Sequence, residues 1–199
     1  MEARGFFARL ALAHQTVTGS GEDVLKRVLA TAHTMLCDRG CRGVTIVSDP
    51  LRNILSNEPV IVSDSCIVYV HAEDKVGVKA ARTMGDAAHQ TGKLVVCISV
   101  QGPTPFTRRE CVEQERVIQF LLLRQCCFPI AHHTLVPSHV PVTDHGFDVA
   151  NLPKILVTDA VVQYYNFPVG TVLKIERTFG GHEPTVYYRV VTPGAASVM

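Results

Sequence analysis

Asp64, Glu73 and Lys75 come nearest, by type and spacing, to a catalytic group. Two carboxylates with a lysine close behind is a layout by which nucleases hold a divalent metal and position a water. The pattern is loose, because a chain with 18 acidic residues meets it often. A solvated turn leading into a helix accounts for Glu73-Asp74-Lys75 more economically. Zinc is the second possibility, from Cys126, Cys127, His132, His133 and His139. Structural zinc favours ligand pairs at short spacing within one turn or hairpin. The two histidines of His133-Thr-Leu-Val-Pro-Ser-His139 are too far apart for that, and Pro137 biases Val136 toward an extended conformation. Adjacent cysteines in a strand point to opposite faces, so Cys126 and Cys127 do not readily share one ion. These residues read as buried small hydrophobes and backbone-bonded histidines, and no cofactor is implied. Nothing specific supports a cysteine and histidine catalytic pair.

Two further groups suit binding better than catalysis. Arg108, Arg109 and Arg116 follow the Gly102-Pro-Thr-Pro105 loop, where a helix start offers N–H groups to a phosphate. Glu110, Glu113 and Glu115 argue instead for a mixed solvated face. Tyr164, Tyr165, Lys174, Arg177, Tyr187, Tyr188 and Arg189 are of the kinds enriched at protein interfaces, and an alternating β surface would display them together.

The elements that must position these residues follow from periodicity and punctuation. Ser20-Gly-Glu-Asp23 has the form of a helix start. Leu25, Val28, Leu29, Ala32 and Leu36 then recur at helical spacing up to a stop at Gly40. Val44 to Val47 and Cys66 to Val70 read as strands. A helix from Lys75 to Thr91 closes at Gly92, and Leu94 to Val100 is again strand, which predicts a βαβ unit. Thr104 is placed to cap a helix with Pro105 at its first position, and Thr107 with Glu110 forms a competing capping box. Leu121 to Phe128 is too uniformly apolar to assign by period, and a buried strand is expected in its second half. Beyond Pro129, prolines punctuate short β-rich runs. Val169 to Glu176 and Thr185 to Val191 are the clearest, joined by a hairpin loop at Thr178 to His182, and the tail from Pro193 is expected to fray.

Composition bounds what such a chain can do. Its 199 residues allow two domains, and 47 % hydrophobic against 19 % charged residues with a mean hydropathy of +0.18 suits a subunit with large contacts. A formal charge of +1 gives no bulk attraction to nucleic acid. Seven cysteines without a Cys-x-x-Cys pair read as reduced thiols. The apolar run at Leu10 to Ala13 is too short for a signal segment, and no stretch approaches the roughly 20 apolar residues that span a bilayer. The reading is therefore soluble, with neither membrane nor small-molecule substrate as a partner.

His133-Thr-Leu-Val-Pro-Ser-His139, Leu152-Pro-Lys-Ile155, Asp159, Tyr164-Tyr165, Gly170-Thr-Val-Leu-Lys-Ile175, Arg177 and Tyr188-Arg-Val-Val191 carry, in order, a resemblance. They resemble the C-terminal domain of the fifth-largest shared subunit of eukaryotic nuclear RNA polymerases, a domain that in archaea stands alone as a small polymerase subunit. Met35-Leu-Cys-Asp-Arg-Gly40, Lys75-Val-Gly-Val-Lys79 and Thr104-Pro105 extend the resemblance toward the N-terminus. It implies an α+β protein: an α/β jaw domain with a nuclease-like sheet over residues 1–129, then a small β-rich assembly domain over 130–199. Neither domain is catalytic in that family, so the Asp64, Glu73 and Lys75 pattern would echo a related fold without activity. The implied partners are the largest polymerase subunit, other polymerase subunits and downstream double-stranded DNA. The implied assembly residues are His133, Leu135, Val136, Pro137, His139, Pro153, Asp159, Tyr164, Tyr165, Gly170, Lys174, Arg177, Tyr188 and Arg189. Pro103, Thr104, Pro105 and Arg108 would lie near DNA.

The chain departs from the family pattern at Ala160 to Gln163, at Phe167-Pro168-Val169, in the short stretch from His139 to Leu152, and at Thr178 to Pro184. The departures suit a diverged paralogue serving one nuclear polymerase, with polymerase I and hence the nucleolus as the specific expectation.

Overall fold

The structure is a computed structural model that describes residues 2–13, 20–114, 117–143, 146, 148–177, 183 and 185–194. The chain divides into two compact units, Met1–Phe128 and Pro129–Met199. Arg116, the loop at Thr178 to His182 and the last five residues of the tail lie outside the described residues.

In the N-terminal unit, helix α1 (Glu2–Ala13) places Phe6 and Leu10, four residues apart, on one buried face. The helix is thus anchored in the core by Phe6 and Leu10, while Ala11 and Leu12 of the apolar run are exposed. Helix α2 (Gly21–Asp38) starts where expected: Ser20 Oγ accepts from the Asp23 N–H at 3.3 Å, and the Asp23 carboxylate accepts from the Ser20 N–H at 3.0 Å. The Ser20 hydroxyl also donates to that carboxylate at 2.8 Å, and this bond first, then the one from the Ser20 N–H, holds the Asp23 carboxyl below its ordinary range. The helix ends in a Schellman motif. Gly40 is left-handed at φ 81°, its N–H donates to the Cys37 carbonyl at 2.9 Å, and the Cys41 N–H donates to Leu36 at 3.0 Å. At the other end α1 comes so close that a Cβ on Gly21 would run into the Phe7 carbonyl.

Beyond α2 lie β1 (Thr45–Ile46), the short helix α3 (Pro50–Leu55) capped by Asp49, and β2 (Ile61–Val62). They lead to β3 (Cys66–Val70), β4 (Lys75–Val76), helix α4 (Val78–Thr91) and β5 (Leu94–Ser99). After β6 (Gly102–Pro103) and helix α5 (Pro105–Glu113) comes β7 (Ile118–Leu122). One sheet runs in the order β1-β2-β3-β5-β7, with β3, β5 and β7 parallel, and β4 pairs with β6 in a separate ribbon. All five residues of β3 are buried, which is why its sequence is an unbroken apolar run. Ile67, Tyr69, Val95 and Cys97 pack against Ala81, Met84 and Ala88 of α4. Cys66, Val68, Val70, Val96 and Ile98 point to the opposite face by the pleat.

Three local expectations are corrected. The helix expected from Lys75 begins at Val78, because Lys75 and Val76 pair with Gly102 and Pro103. The competing cap at Thr107 does not form: Thr104 caps α5, and the buried Thr107 hydroxyl donates to the Val76 carbonyl at 2.9 Å. The strand expected in the second half of Leu121 to Phe128 is instead a 3₁₀ turn, Leu123–Cys126, following β7. The Gln125 amide oxygen accepts from the Leu122 N–H at 2.8 Å and so ends the strand there. Cys126 and Cys127 are therefore not strand neighbours. Cys126 is buried, with its thiol pushed up to about 12 by that burial, and Cys127 Sγ lies 3.3 Å from the Leu123 carbonyl.

In the C-terminal unit, strands β8 (Ser138–Val142), β9 (Lys154–Leu156), β10 (Val172–Arg177) and β11 (Thr185–Thr192) form a sheet in the order β8-β10-β11-β9. The first two pairings are antiparallel and β9 joins in parallel. Helix α6 (Ala160–Tyr165) supplies the cover for one face: Val162 packs with Leu173, Ile175 and Val191. Each such side chain contributes roughly 2 kcal/mol on burial. Tyr164 and Tyr165 belong to this helix, a correction to the single alternating β surface expected to carry them. The six-residue helix holds because Asp159 caps it, its Oδ1 accepting from the Val161 and Val162 N–H groups at 2.9 and 3.3 Å. Among the described residues no helix is long and apolar enough to cross a membrane.

Candidate assembly interface

Strand alternation sorts the expected interface residues into two sets. On β8, β10 and β11 the face toward α6 carries His139, Ile175 and Tyr187 in one row and Pro141, Leu173 and Arg189 in the next. The opposite face carries Val140, Lys174 and Tyr188 in register. Tyr188 and Arg189, neighbours in sequence and grouped in the expected interface, therefore point to opposite faces.

The α6 side of the sheet opens into a concavity of about 350 Å³. Into it the fold brings Leu135, Val136, Pro137, His139, Asp159, Arg177 and Arg189 of the expected set. Ile130, Ile155, Ala160, Val161, Ile175 and Tyr187 complete the lining. Tyr187, already among the interface-type residues of the sequence, sits two positions from Arg189 on the same strand and so shares its face. Ile130 and Ile155 have no comparable signal, because only the fold brings the 130–132 turn and β9 to this face.

The His133 to His139 motif builds one wall. Ile130–His132 is a 3₁₀ turn, after which the Leu135 N–H donates to His133 Nδ1 at 3.2 Å and the Val136 N–H to the His133 carbonyl at 2.9 Å. That local bonding projects Leu135 outward, 82 % exposed. Pro137 then starts the extended run, and its carbonyl lies 2.8 Å from His139 Nδ1, which must carry the proton because a carbonyl only accepts. The histidines are thus fittings of a turn, and among the described residues no group of three or more His, Cys, Asp or Glu could hold a metal ion.

Arginine builds the opposite wall. Arg189 donates from its guanidinium to the Lys154 carbonyl at 3.1 Å and lies 5.9 Å from the centroid of the Tyr187 ring. A guanidinium has five N–H donors, so one such bond orients it while leaving others to face a partner. Arg177 lies at the end of β10. The result is an apolar floor of isoleucine and tyrosine between an exposed leucine and two guanidinium groups.

The other expected assembly residues sit elsewhere. Tyr164 is buried, and Tyr165 stacks on Phe167 at 5.1 Å and meets Tyr164 edge-on at 5.2 Å. The Pro153 carbonyl accepts from the Val190 N–H, and Gly170, at φ 90°, turns the chain so that its N–H reaches the Val191 carbonyl at 2.9 Å. Lys174 pairs with Glu176 at 2.6 Å on the far face, and the carboxylate raises the ammonium pKa.

In the N-terminal unit, Thr104 Oγ1 accepts from the Thr107 N–H at 3.2 Å, and its carbonyl accepts from the Arg108 N–H at 3.0 Å. Pro105 has no N–H, so much of this helix start is already satisfied from within. Pro103 is held in β6, while Phe106 and Arg108 are exposed.

The acidic pattern does not assemble. Asp64 precedes β3, while Glu73 and Lys75 follow it, and four residue steps of strand at about 3.3 Å each separate the two ends. Asp64 is engaged locally: it accepts from the Arg42 N–H at 3.0 Å and the Ser65 hydroxyl at 2.8 Å, and the latter bond chiefly holds its carboxyl below the ordinary range. The nuclease reading is corrected on this geometry.

Comparison with known proteins agrees. Residues 128–191 match the family model described as RNA polymerase Rpb5, C-terminal domain. DNA-directed RNA polymerase subunit Rpo5 of Methanothrix thermoacetophila is 33 % identical over 73 residues, covering 32 % of this chain and 94 % of the relative. The Dictyostelium discoideum subunit rpabc1 of DNA-directed RNA polymerases I, II, and III is 28 % identical over 130 residues, 58 % of this chain and 66 % of that relative. The second match is longer than the C-terminal unit and so extends into the N-terminal one. With residues 128–191 matched by the family model and 94 % of an archaeal subunit covered at 33 % identity, the chain belongs to the Rpb5 family of non-catalytic RNA polymerase subunits.

Proposed function

We propose that the C-terminal unit is the assembly domain, anchoring the chain on the largest subunit of a nuclear RNA polymerase. The concavity between Leu135 and Arg189 is its principal contact. The observation that carries this reading is the convergence there of Leu135 to Pro137, His139, Asp159, Arg177 and Arg189 from separate stretches of sequence. An apolar floor rimmed by guanidinium groups has the make-up of an interface core. His133 and Pro153 support it by shaping the turns, and Tyr164, Tyr165 and Gly170 by fixing α6 and the loop after it. Lys174 and Tyr188 serve a second contact on the far sheet face.

The N-terminal unit acts as a jaw element beside downstream double-stranded DNA, with Pro103, Thr104, Pro105 and Arg108 nearest the duplex. The formal charge of +1 makes any such contact local and dependent on the assembled enzyme. The eukaryotic relative named for three polymerases supports a nuclear location. The departures at Ala160 to Gln163 and Phe167 to Val169 alter α6 and its following loop, beside the concavity. They support service in one polymerase, and polymerase I in the nucleolus is the specific proposal.

Purification of the tagged chain from its native cells at moderate salt, with stoichiometry read by mass spectrometry, tests the proposal. Equimolar recovery of a largest polymerase subunit is expected, and the identity of that subunit names the enzyme. Recovery without large polymerase subunits would overturn the assignment.

A further inference from the structure

Cys41 and Cys66 bring their sulfur atoms to 3.6 Å across 25 positions of sequence. Both are held by backbone bonding independent of the thiols. Cys41 is the last residue of the Schellman motif that ends α2, its N–H fixed to Leu36. Cys66 opens β3, where Ser63 Oγ bonds both its N–H at 2.9 Å and its carbonyl at 3.0 Å. Between them, the Asp64 N–H donates to the Arg42 carbonyl and the Arg42 N–H to the Asp64 carboxylate, each at 3.0 Å, stitching the two segments together. A disulfide needs about 2.05 Å between sulfurs, a gap that rotation of the two short side chains narrows.

We propose that Cys41 and Cys66 form a redox-sensitive dithiol, a modification site that small-molecule disulfides such as glutathione disulfide convert to an intramolecular bridge. Cys41 is half-exposed and Cys66 is buried, which sets the order of events. The Cys41 thiolate attacks one sulfur of glutathione disulfide, the S–S bond breaks, and one glutathione departs as thiolate. Cys66 then gives up its proton and attacks Cys41 Sγ, releasing the second glutathione. Two protein thiols are oxidised, one external disulfide is reduced, and the two thiol protons end on the departing glutathiones. Burial, and then the neighbouring Cys41, push the Cys66 thiol up to about 11, consistent with its acting second. Ser65 Oγ lies 3.3 Å from Cys41 Sγ but also 2.8 Å from Asp64. Its single proton belongs to the carboxylate, which leaves the Cys41 S–H directed at Cys66.

The bridge would clasp the end of α2 to the start of β3, closing a loop that contains β1, α3 and β2. Elsewhere, Cys97 and Cys126 are buried with thiols pushed up to about 12, and Cys37 is exposed beside His33.

The test incubates the reduced full chain with glutathione disulfide and counts thiols, then maps linkages after tryptic digestion. Titratable thiols should fall from seven to five, with residues 40–42 joined to the peptide spanning 53–75. The bridge should form roughly tenfold or more faster in the folded chain than in urea, because the fold supplies the proximity. Cys41→Ser should abolish it, and Cys37→Ser should leave it unchanged. A mixed disulfide at Cys37 alone, or equal rates in folded and unfolded chains, would overturn the proposal. The Cys41→Ser result decides the matter even if Cys66→Ser proves unstable.

Discussion

The two units spend their apolar residues differently. In the N-terminal unit β3 is buried along its whole length and α4 packs on its sheet in an extended core, while Leu12, Phe106, Val112 and Val117 stay exposed outside it. In the C-terminal unit the fully buried cluster is small, Val162, Leu173, Ile175 and Val191, while Leu135, Val140, Leu156, Val169 and Val186 remain exposed. A face that a subunit leaves uncovered marks association, whereas one it seals marks folding. The family model matches residues 128–191, almost all of them in the C-terminal unit.

Substitutions in each region should separate the two roles. Leu36→Ala in the N-terminal core should cost about 3 kcal/mol by the loss of a fully buried side chain, read as a lower urea midpoint, and should reduce polymerase incorporation only through that loss. Arg189→Glu should behave oppositely, with stability changed by less than about 0.5 kcal/mol but co-purification with polymerase subunits falling sharply. Normal recovery of the Arg189→Glu chain in stoichiometric complexes would remove the distinction. Tyr188→Ala tests the far sheet face independently. It should weaken incorporation less than Arg189→Glu, and a larger effect would move the principal contact to that face.

Asp159→Ala should cost about 1 kcal/mol by uncapping α6, while Asp159→Asn keeps an accepting oxygen and most of that stability, as thermal unfolding would report. The smallest expected effect is pH-dependent. His71 is buried with Nε2 unpartnered, and burial lowers its pKa below the ordinary 6.5 even though Glu73 opposes the shift. The unfolded chain therefore takes up the proton first as pH falls, so the stability owed to neutral His71 is present above pH 6.5 and is lost between there and the lowered folded value. His71→Gln should flatten that part of the urea-midpoint profile as the pH is lowered through the ordinary histidine range.

Several elements were legible because local and global preferences agree. Ser20 with Asp23, Gly40, Gly92 and Thr104 with Pro105 punctuate helices through backbone chemistry that needs no tertiary context. Cys66 to Val70 and Leu94 to Ile98 are unbroken apolar runs because both their faces are covered. Helix α1 escapes a reading by pattern because its buried face shows only Phe6 and Leu10 among Arg4, Gly5 and Arg9, and α3 because six residues are shorter than any periodicity window. The β7 boundary depended on one side chain, Gln125, reaching back to Leu122. Among the expected interface residues, motif order says nothing of which face each one occupies. Separating Tyr188 from Arg189 required the strand register, and Ile130 and Ile155 became visible only once chain segments distant in sequence met.

Strand β8 lies at the margin of its sheet, where unpaired backbone groups would ordinarily recruit another copy. Its sequence places Pro141 opposite Leu173, and a proline has no N–H to offer an incoming strand. The other margin, β9, is only three residues long. A polymerase subunit must survive between its synthesis and its capture by larger partners, and in that interval its exposed valines and leucines have no cover. Blunted margins allow the chain to wait for its partner without pairing with itself.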